Sequence, residues 1–228
     1  MAGRAHLMGE LDRVYAKRFE DPEARAKDLL WVEVGRYLQR YVDPNLPILD
    51  VACDRGYFIR NVRGSEKWAS DLRDVSSALS SDVHFVQSDG LRLTEVMPAG
   101  HFGTVFMSTY LEHLASGSEV IEQLRVAGEL LRPDGRLIVL QPNIRLVGAA
   151  YWDFIDHKVA LTERSLVEAA EAAGFRTEQL VASFLPYTTK SWLPQHRVLV
   201  RSYLHLHLAW RLLGGQTLYV GRRLSATS

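Results

Sequence analysis

The chain's 228 residues suffice for one large domain or two small ones, with a core that needs no disulfide or metal staple. Its 47% hydrophobic and 24% charged residues are the proportions of an ordinary soluble globular protein. Lysine plus arginine equals aspartate plus glutamate at 27 each, so no net field recruits nucleic acid or an anionic membrane.

In chain order, the N-terminus carries Arg4, Glu10 and Asp12 and shows no apolar signal-peptide core. Nowhere does an unbroken apolar run reach the ~18 residues a membrane span requires. Residues 10 to 42 read as helical: Leu29, Trp31, Val32, Val34, Tyr37, Leu38 and Tyr41 recur at helical spacing, and Asp43-Pro44 stops the run. Tyr15, Arg18 and Phe19 form an aromatic and basic cluster upstream. Two readings are open for residues 1–44, a helix packed on a domain edge or a lid over a ligand.

The first strand is Ile48 to Val51, followed by the turn Ala52-Cys53-Asp54-Arg55-Gly56 and a helix from Phe58 to about Val62. A strand, tight turn and helix start offer backbone N–H groups to a ligand. Cys53 is the chain's one cysteine, which excludes an internal disulfide and fits a reducing, cytoplasmic setting. Lys67 to Ser70 forms a second strand ending in Asp71, where an α/β nucleotide site places a carboxylate for ribose hydroxyls. Val83 to Gln87 is a third strand running into Ser88-Asp89-Gly90, and Thr104 to Met107 a fourth, ending at Ser108-Thr109-Tyr110. A helix from Glu119 to Leu131 stops at Pro133-Asp134-Gly135, and a fifth strand, Arg136 to Leu140, runs into Gln141-Pro142-Asn143. After Tyr151-Trp152-Asp153-Phe154-Ile155-Asp156-His157, a helix begins near Thr162 or Glu163 and closes at Gly174. Arg176 to Ser183 reads as a sixth strand, residues 184–214 as an aromatic and basic helical insertion, and Gln216 to Val220 as the last strand.

Apolar strands alternating with helices predict an α/β fold: a Rossmann-like, doubly wound, seven-stranded, mostly parallel sheet. Strand-turn-helix, an acid ending strand two, Ser-Asp-Gly after strand three and Tyr-Leu-Glu-His-Leu after strand four occur in that order. Together with Leu131-Arg132-Pro133-Asp134-Gly135 and Gln141-Pro142-Asn143, this order resembles class I S-adenosylmethionine-dependent methyltransferases over residues 45 to 182. Within them it is similar to small bacterial ubiquinone-type O-methyltransferases. Tyr151 to Phe154 with Asp156-His157 also looks like members associated with glycan or secondary-metabolite genes.

The resemblance implies one domain whose last strand is antiparallel, with S-adenosyl-L-methionine as cofactor. It places Asp50, Ala52, Cys53, Asp54 and Gly56 in the loop near the methionine moiety. Asp71, with Leu72 beside it, falls at the ribose, Asp89 and Gly90 at the adenine, and Met107 and Ser108 at the floor. Ala52 and Asp54 stand where glycine is usual, and a slightly reshaped loop with weaker cofactor affinity is the expectation.

Methyl transfer is an in-line displacement that often needs a base for the acceptor hydroxyl. His113 is the first candidate base, since imidazole titrates near neutrality, and His157, flanked by Asp153 and Asp156, is the second. Each also has a purely structural reading, as a helix-end or capping-loop histidine. Asp153, Asp156 and His157 raise a metal, yet strand four ends without a carboxylate, so no metal is expected. Absence of Asn/Asp-Pro-Pro-Tyr there favours oxygen over nitrogen as acceptor. The expected function is therefore O-methylation of a small molecule, a sugar or secondary metabolite, in the cytoplasm. A catalytically silent binding protein and an N-methyltransferase are the alternatives; a nicotinamide oxidoreductase lacks its glycines. The insertion is read as a packed helix or homodimer face, or as a peripheral membrane contact.

Overall fold

The computed structural model describes residues 21–187 and 197–224, with side chains from residue 27 onward. Tyr15, Arg18, Phe19, Trp192 and His196 lie outside the described residues. The first helix described, α1 (Asp21–Leu38), leads to β1 (Ile48–Val51), β2 (Lys67–Asp71), β3 (Val83–Gln87) and β4 (Phe102–Ser108). Then come α2 (Gly117–Leu130), β5 (Leu131–Pro142), the single-turn α3 (Ile144–Val147), α4 (Glu163–Ala172) and β6 (Phe175–Leu185). The helix pair α5 (Arg197–His205) and α6 (His207–Leu213) precedes β7 (Gln216–Arg223).

The strands form a 7-stranded sheet in the order β3-β2-β1-β4-β5-β7-β6. β7 runs antiparallel to both β5 and β6, and the pairs among β1 to β5 are parallel. This is the Rossmann-like arrangement expected from the alternation of apolar runs and helices.

Strand periodicity divides the core. Leu49, Val51, Val105 and Met107 face one layer, packed on Leu124 and Ala127 of α2 and Leu166 and Ala170 of α4. Ile48, Phe106, Ile138 and Leu140 face the other, packed on Val34 and Leu38 of α1, Leu204 of α5 and Trp210 of α6. Phe58 stacks on Phe106, and Phe184 sits 5.1 Å from both Tyr37 and Trp210, so aromatic packing fixes the second layer. The insertion is therefore anchored by Leu204 and Trp210 while Leu208 and Leu212 point outward at 70% and 77% exposure.

Caps set the helix starts. Ser116 Oγ accepts from Glu119 N at the start of α2, and Thr162 forms a capping box with Ser165 at the start of α4. One expected element is corrected: in place of a helix from Phe58 to Val62 there is only a 3₁₀ turn, Ile59–Asn61. The Asn61 amide donates to Tyr57 O, and α1 crosses so closely that a Cβ on Gly35 would lie 2.7 Å from Asn61. Among the described residues no helix is long and apolar enough to cross a membrane.

Candidate functional site

β1 and β4 are neighbours, and the chain leaves β1 toward β2 and β3 before returning to β4. At such a crossover, ligands of parallel sheets bind beyond the carboxyl ends of the strands. The predicted cofactor residues sit in or just after the ends of β1 to β4.

The loop after β1 alternates in hand: Ala52 has φ 54, Asp54 φ 49 and Gly56 φ 67. Ala52 and Asp54 both take up the left-handed backbone that glycine adopts freely, at about 1–2 kcal/mol each. The shape is held by Cys53 N donating to Ser70 O, Gly56 N to Cys53 O, and Asp54 N to the Asp71 carboxylate at 3.0 Å.

Asp71 is 7% exposed and already engaged. Its Oδ1 accepts from Arg73 N at 3.0 Å and Arg73 Nε at 3.2 Å, while Arg73 Nη2 reaches Asp54 Oδ1 at 3.0 Å. Arg73 thus ties the second-strand acid to the Asp54 that stands in the glycine position. Sequence reasoning missed it; its one signal is a basic residue two places after the acid. Leu72, between them, is 48% exposed.

Asp89 caps the turn after β3, accepting from Leu91 N at 3.1 Å. Gly90 lies against Tyr110, whose hydroxyl donates to Gln123 Oε1 at 2.9 Å. A Cβ on Gly90 would meet Tyr110 Oη at 2.2 Å and Gln123 Oε1 at 2.6 Å. Gly90→Ala should therefore lower stability by about 1–3 kcal/mol, the usual cost of overpacking. At this chain length a melting curve would record that as about 2–4 °C per kcal/mol.

Asp50, 3% exposed on β1, has its carboxyl raised well above the usual range, chiefly by burial. The backbone N–H of Ile59 opposes this shift, and the charges of Asp71 and Asp54 add to it. With the folded-state pKa raised, folding penalises the anion, and the penalty appears as pH climbs above the unfolded carboxyl's value. Asp50→Asn should raise the melting temperature, by more at pH 8 than at pH 5. An equal change at both would mean the carboxyl ionises normally. Burial, aided by those same three carboxylates, also pushes the Cys53 thiol up, which marks it as inert.

Met107 is fully buried at the end of β4, and Ser108 is partly exposed. Just beyond, Thr109 is held at φ 45, a strained setting for a β-branched residue. The following turn carries Glu112 and His113. Lys158 N and Val159 N both donate to Glu112 O, which draws the 150s segment onto this turn and His157 with it.

The two candidate bases thus share one cluster. Glu112, fully buried, places Oε1 3.9 Å from His113 Nε2 and 4.0 Å from His157 Nε2. Its Oε2 accepts from Gln141 Nε2 of β5 at 3.0 Å, and burial pushes its carboxyl up. His113 Nδ1 lies 3.1 Å from Asp156 O and 3.5 Å from Asp156 Oδ2. The Tyr151 ring packs 4.8 Å from that of His157. Asp153 is exposed and takes no part in the cluster. Glu112 was missed from sequence because an acid in a turn reads as solvated surface.

The family described as "Methyltransferase domain" matches residues 11–180. The chain belongs to that family, as a class I S-adenosylmethionine-dependent methyltransferase. Solved structures share the fold at low identity. A SAM-dependent methyltransferase from Archaeoglobus fulgidus is 18% identical, with TM-score 0.59 over 83% of this chain and 93% of that one. One from Mesorhizobium loti is 17% identical, with TM-score 0.61 over 82% and 95%. The geranyl diphosphate C-methyltransferase of Streptomyces coelicolor A3(2) is 12% identical, with TM-score 0.58 over 83% and 76%. No curated protein matches the chain. The cofactor is S-adenosylmethionine, and the residues present fit it: a loop after β1 held left-handed at Ala52, Asp54 and Gly56, the buried acids Asp50 and Asp71 on neighbouring strands, and the exposed apolar Leu72 next to Asp71.

Proposed function

We propose that the chain methylates a hydroxyl of a small molecule, a sugar or secondary metabolite, in the cytoplasm. The observation that carries this reading is the convergence of His113, His157 and Glu112 beyond β4, beside the strand ends assigned to the cofactor. A hydroxyl must lose its proton to become a good nucleophile, and this cluster supplies proton-handling groups in a partly closed setting. In the same reading Asp71 receives the ribose hydroxyls, Asp89 and Gly90 the adenine, and the loop from Asp50 to Gly56 the methionine moiety. Met107 and Ser108 form the floor. S-adenosylmethionine supplies an electrophilic methyl group when bound; these residues orient it and exclude water.

The lone, buried Cys53 supports a reducing compartment. Calorimetric titration with S-adenosylhomocysteine, with NAD as control ligand, is the test. Binding of the first and not the second is the expected result. Silence with both would overturn the reading in favour of a fold that has lost its cofactor.

A further inference from the structure

We propose that Glu112, His113 and His157 hold one divalent transition-metal cation, of the Zn²⁺ or Mn²⁺ class, and present it to the acceptor's hydroxyl. This deepens the O-methylation reading and rests on it: the cation is what removes the hydroxyl's proton. It also revises the metal-free expectation drawn from sequence.

Four observations converge on it. One ligand atom from each of the three residues lies within 4.8 Å of the others. Three atoms so spaced have a common point about 2.5 Å from each, a few tenths of an ångström beyond a metal bond to imidazole or carboxylate. Glu112 Oε1 is fully buried with no hydrogen-bond partner, and both neighbouring imidazole nitrogens stand too far off to donate to it. A buried acceptor left so is costly, and a cation between the three groups removes the cost.

The orientation of His113 points the same way. Its Nδ1 lies 3.1 Å from the Asp156 carbonyl oxygen, which can only accept, so Nδ1 is the donor and, in the neutral ring, Nε2 holds the lone pair. A metal-bound histidine donates its outer N–H to a carbonyl or carboxylate in this way. The His113 side chain is 27% exposed, which gives an ion a way in. Two imidazoles with one carboxylate suit zinc, manganese or a similar ion better than magnesium or calcium, which prefer oxygen throughout.

Three protein ligands leave coordination positions open. An acceptor with two adjacent oxygens, a vicinal diol as in a sugar, would chelate there and set one oxygen toward the cofactor crevice. Bound to the cation, the hydroxyl releases its proton to water near neutral pH. The oxygen's lone pair then forms the bond to the methyl carbon as the carbon–sulfur bond breaks, its electrons passing to sulfur.

The test uses the full chain stripped with a chelator and titrated calorimetrically with Zn²⁺, alongside a Co²⁺ titration followed by visible absorption. One ion per chain is expected, with affinity reduced ~10²-fold or more in Glu112→Gln and in His113→Gln. His113→Gln keeps the test alive where the buried Glu112 substitution does not fold. No saturable binding, or binding unchanged in the variant that folds, would overturn the site. S-adenosylhomocysteine titrated into the stripped protein separates the two failures. A chain that binds S-adenosylhomocysteine but takes up no ion sinks the cation alone; one that takes up the ion but binds no S-adenosylhomocysteine sinks the methyltransferase reading and leaves the site standing.

Discussion

Replacing Asp71 by alanine should weaken S-adenosylhomocysteine binding about 10- to 100-fold. Hydrogen bonds to a charged group contribute roughly 1.5–3 kcal/mol, and each 1.4 kcal/mol is a factor of about ten. Two losses combine at this position. On the proposed reading the ribose diol loses its acceptor, and Asp54 N loses the carboxylate that pins the left-handed loop. Arg73→Gln should act in the opposite direction. A carboxylate offers about four lone-pair sites, and the Arg73 backbone and guanidinium already take those of Oδ1. Removing the guanidinium returns one to the diol, so the variant should bind more tightly and with weaker salt dependence. Calorimetry on both variants decides the matter. Asp71→Ala with wild-type affinity would remove Asp71 from the ribose site, and Arg73→Gln binding more weakly would make Arg73 a cofactor ligand rather than a competitor.

The Arg73 pairing shows where sequence reading stopped. The strands were legible because each is a short apolar run closed by polar turn residues, and a parallel sheet covered on both faces follows from that pattern. The last strand's antiparallel course came instead with the family resemblance. Side-chain pairing across 19 residues, as between Arg73 and Asp54, leaves no periodicity to read. The left-handed setting of Ala52 is not legible for a related reason. Local propensity argues against φ 54, but backbone bonds from Cys53 and Asp54 to the neighbouring strand outweigh a cost of about 1–2 kcal/mol. Glu112 was hidden differently. The 150s segment folds back onto its carbonyl through Lys158 and Val159, bringing His157 to its side chain. That is a contact between segments more than forty residues apart.

This fold-back makes the second large prediction specific. His113→Ala should lower methyl transfer ~10²-fold or more while leaving S-adenosylhomocysteine affinity unchanged. The split follows from geometry. His113 reaches Asp156 and Glu112, whereas the loop at Ala52, the Asp71–Arg73 pair and Gly90 sit at other strand ends. The same loss is expected whether the imidazole takes the hydroxyl's proton itself or holds the ion that does. His157→Ala should match it, because both nitrogens lie about equally far from the same Glu112 oxygen, at 3.9 and 4.0 Å. The double variant should then fall little further than either single one, as groups acting as a unit do. Single-turnover rates at saturating cofactor would measure all three. Full activity in His113→Ala would exclude the cluster from the proton step, and multiplicative losses in the double variant would mean that the two histidines act separately.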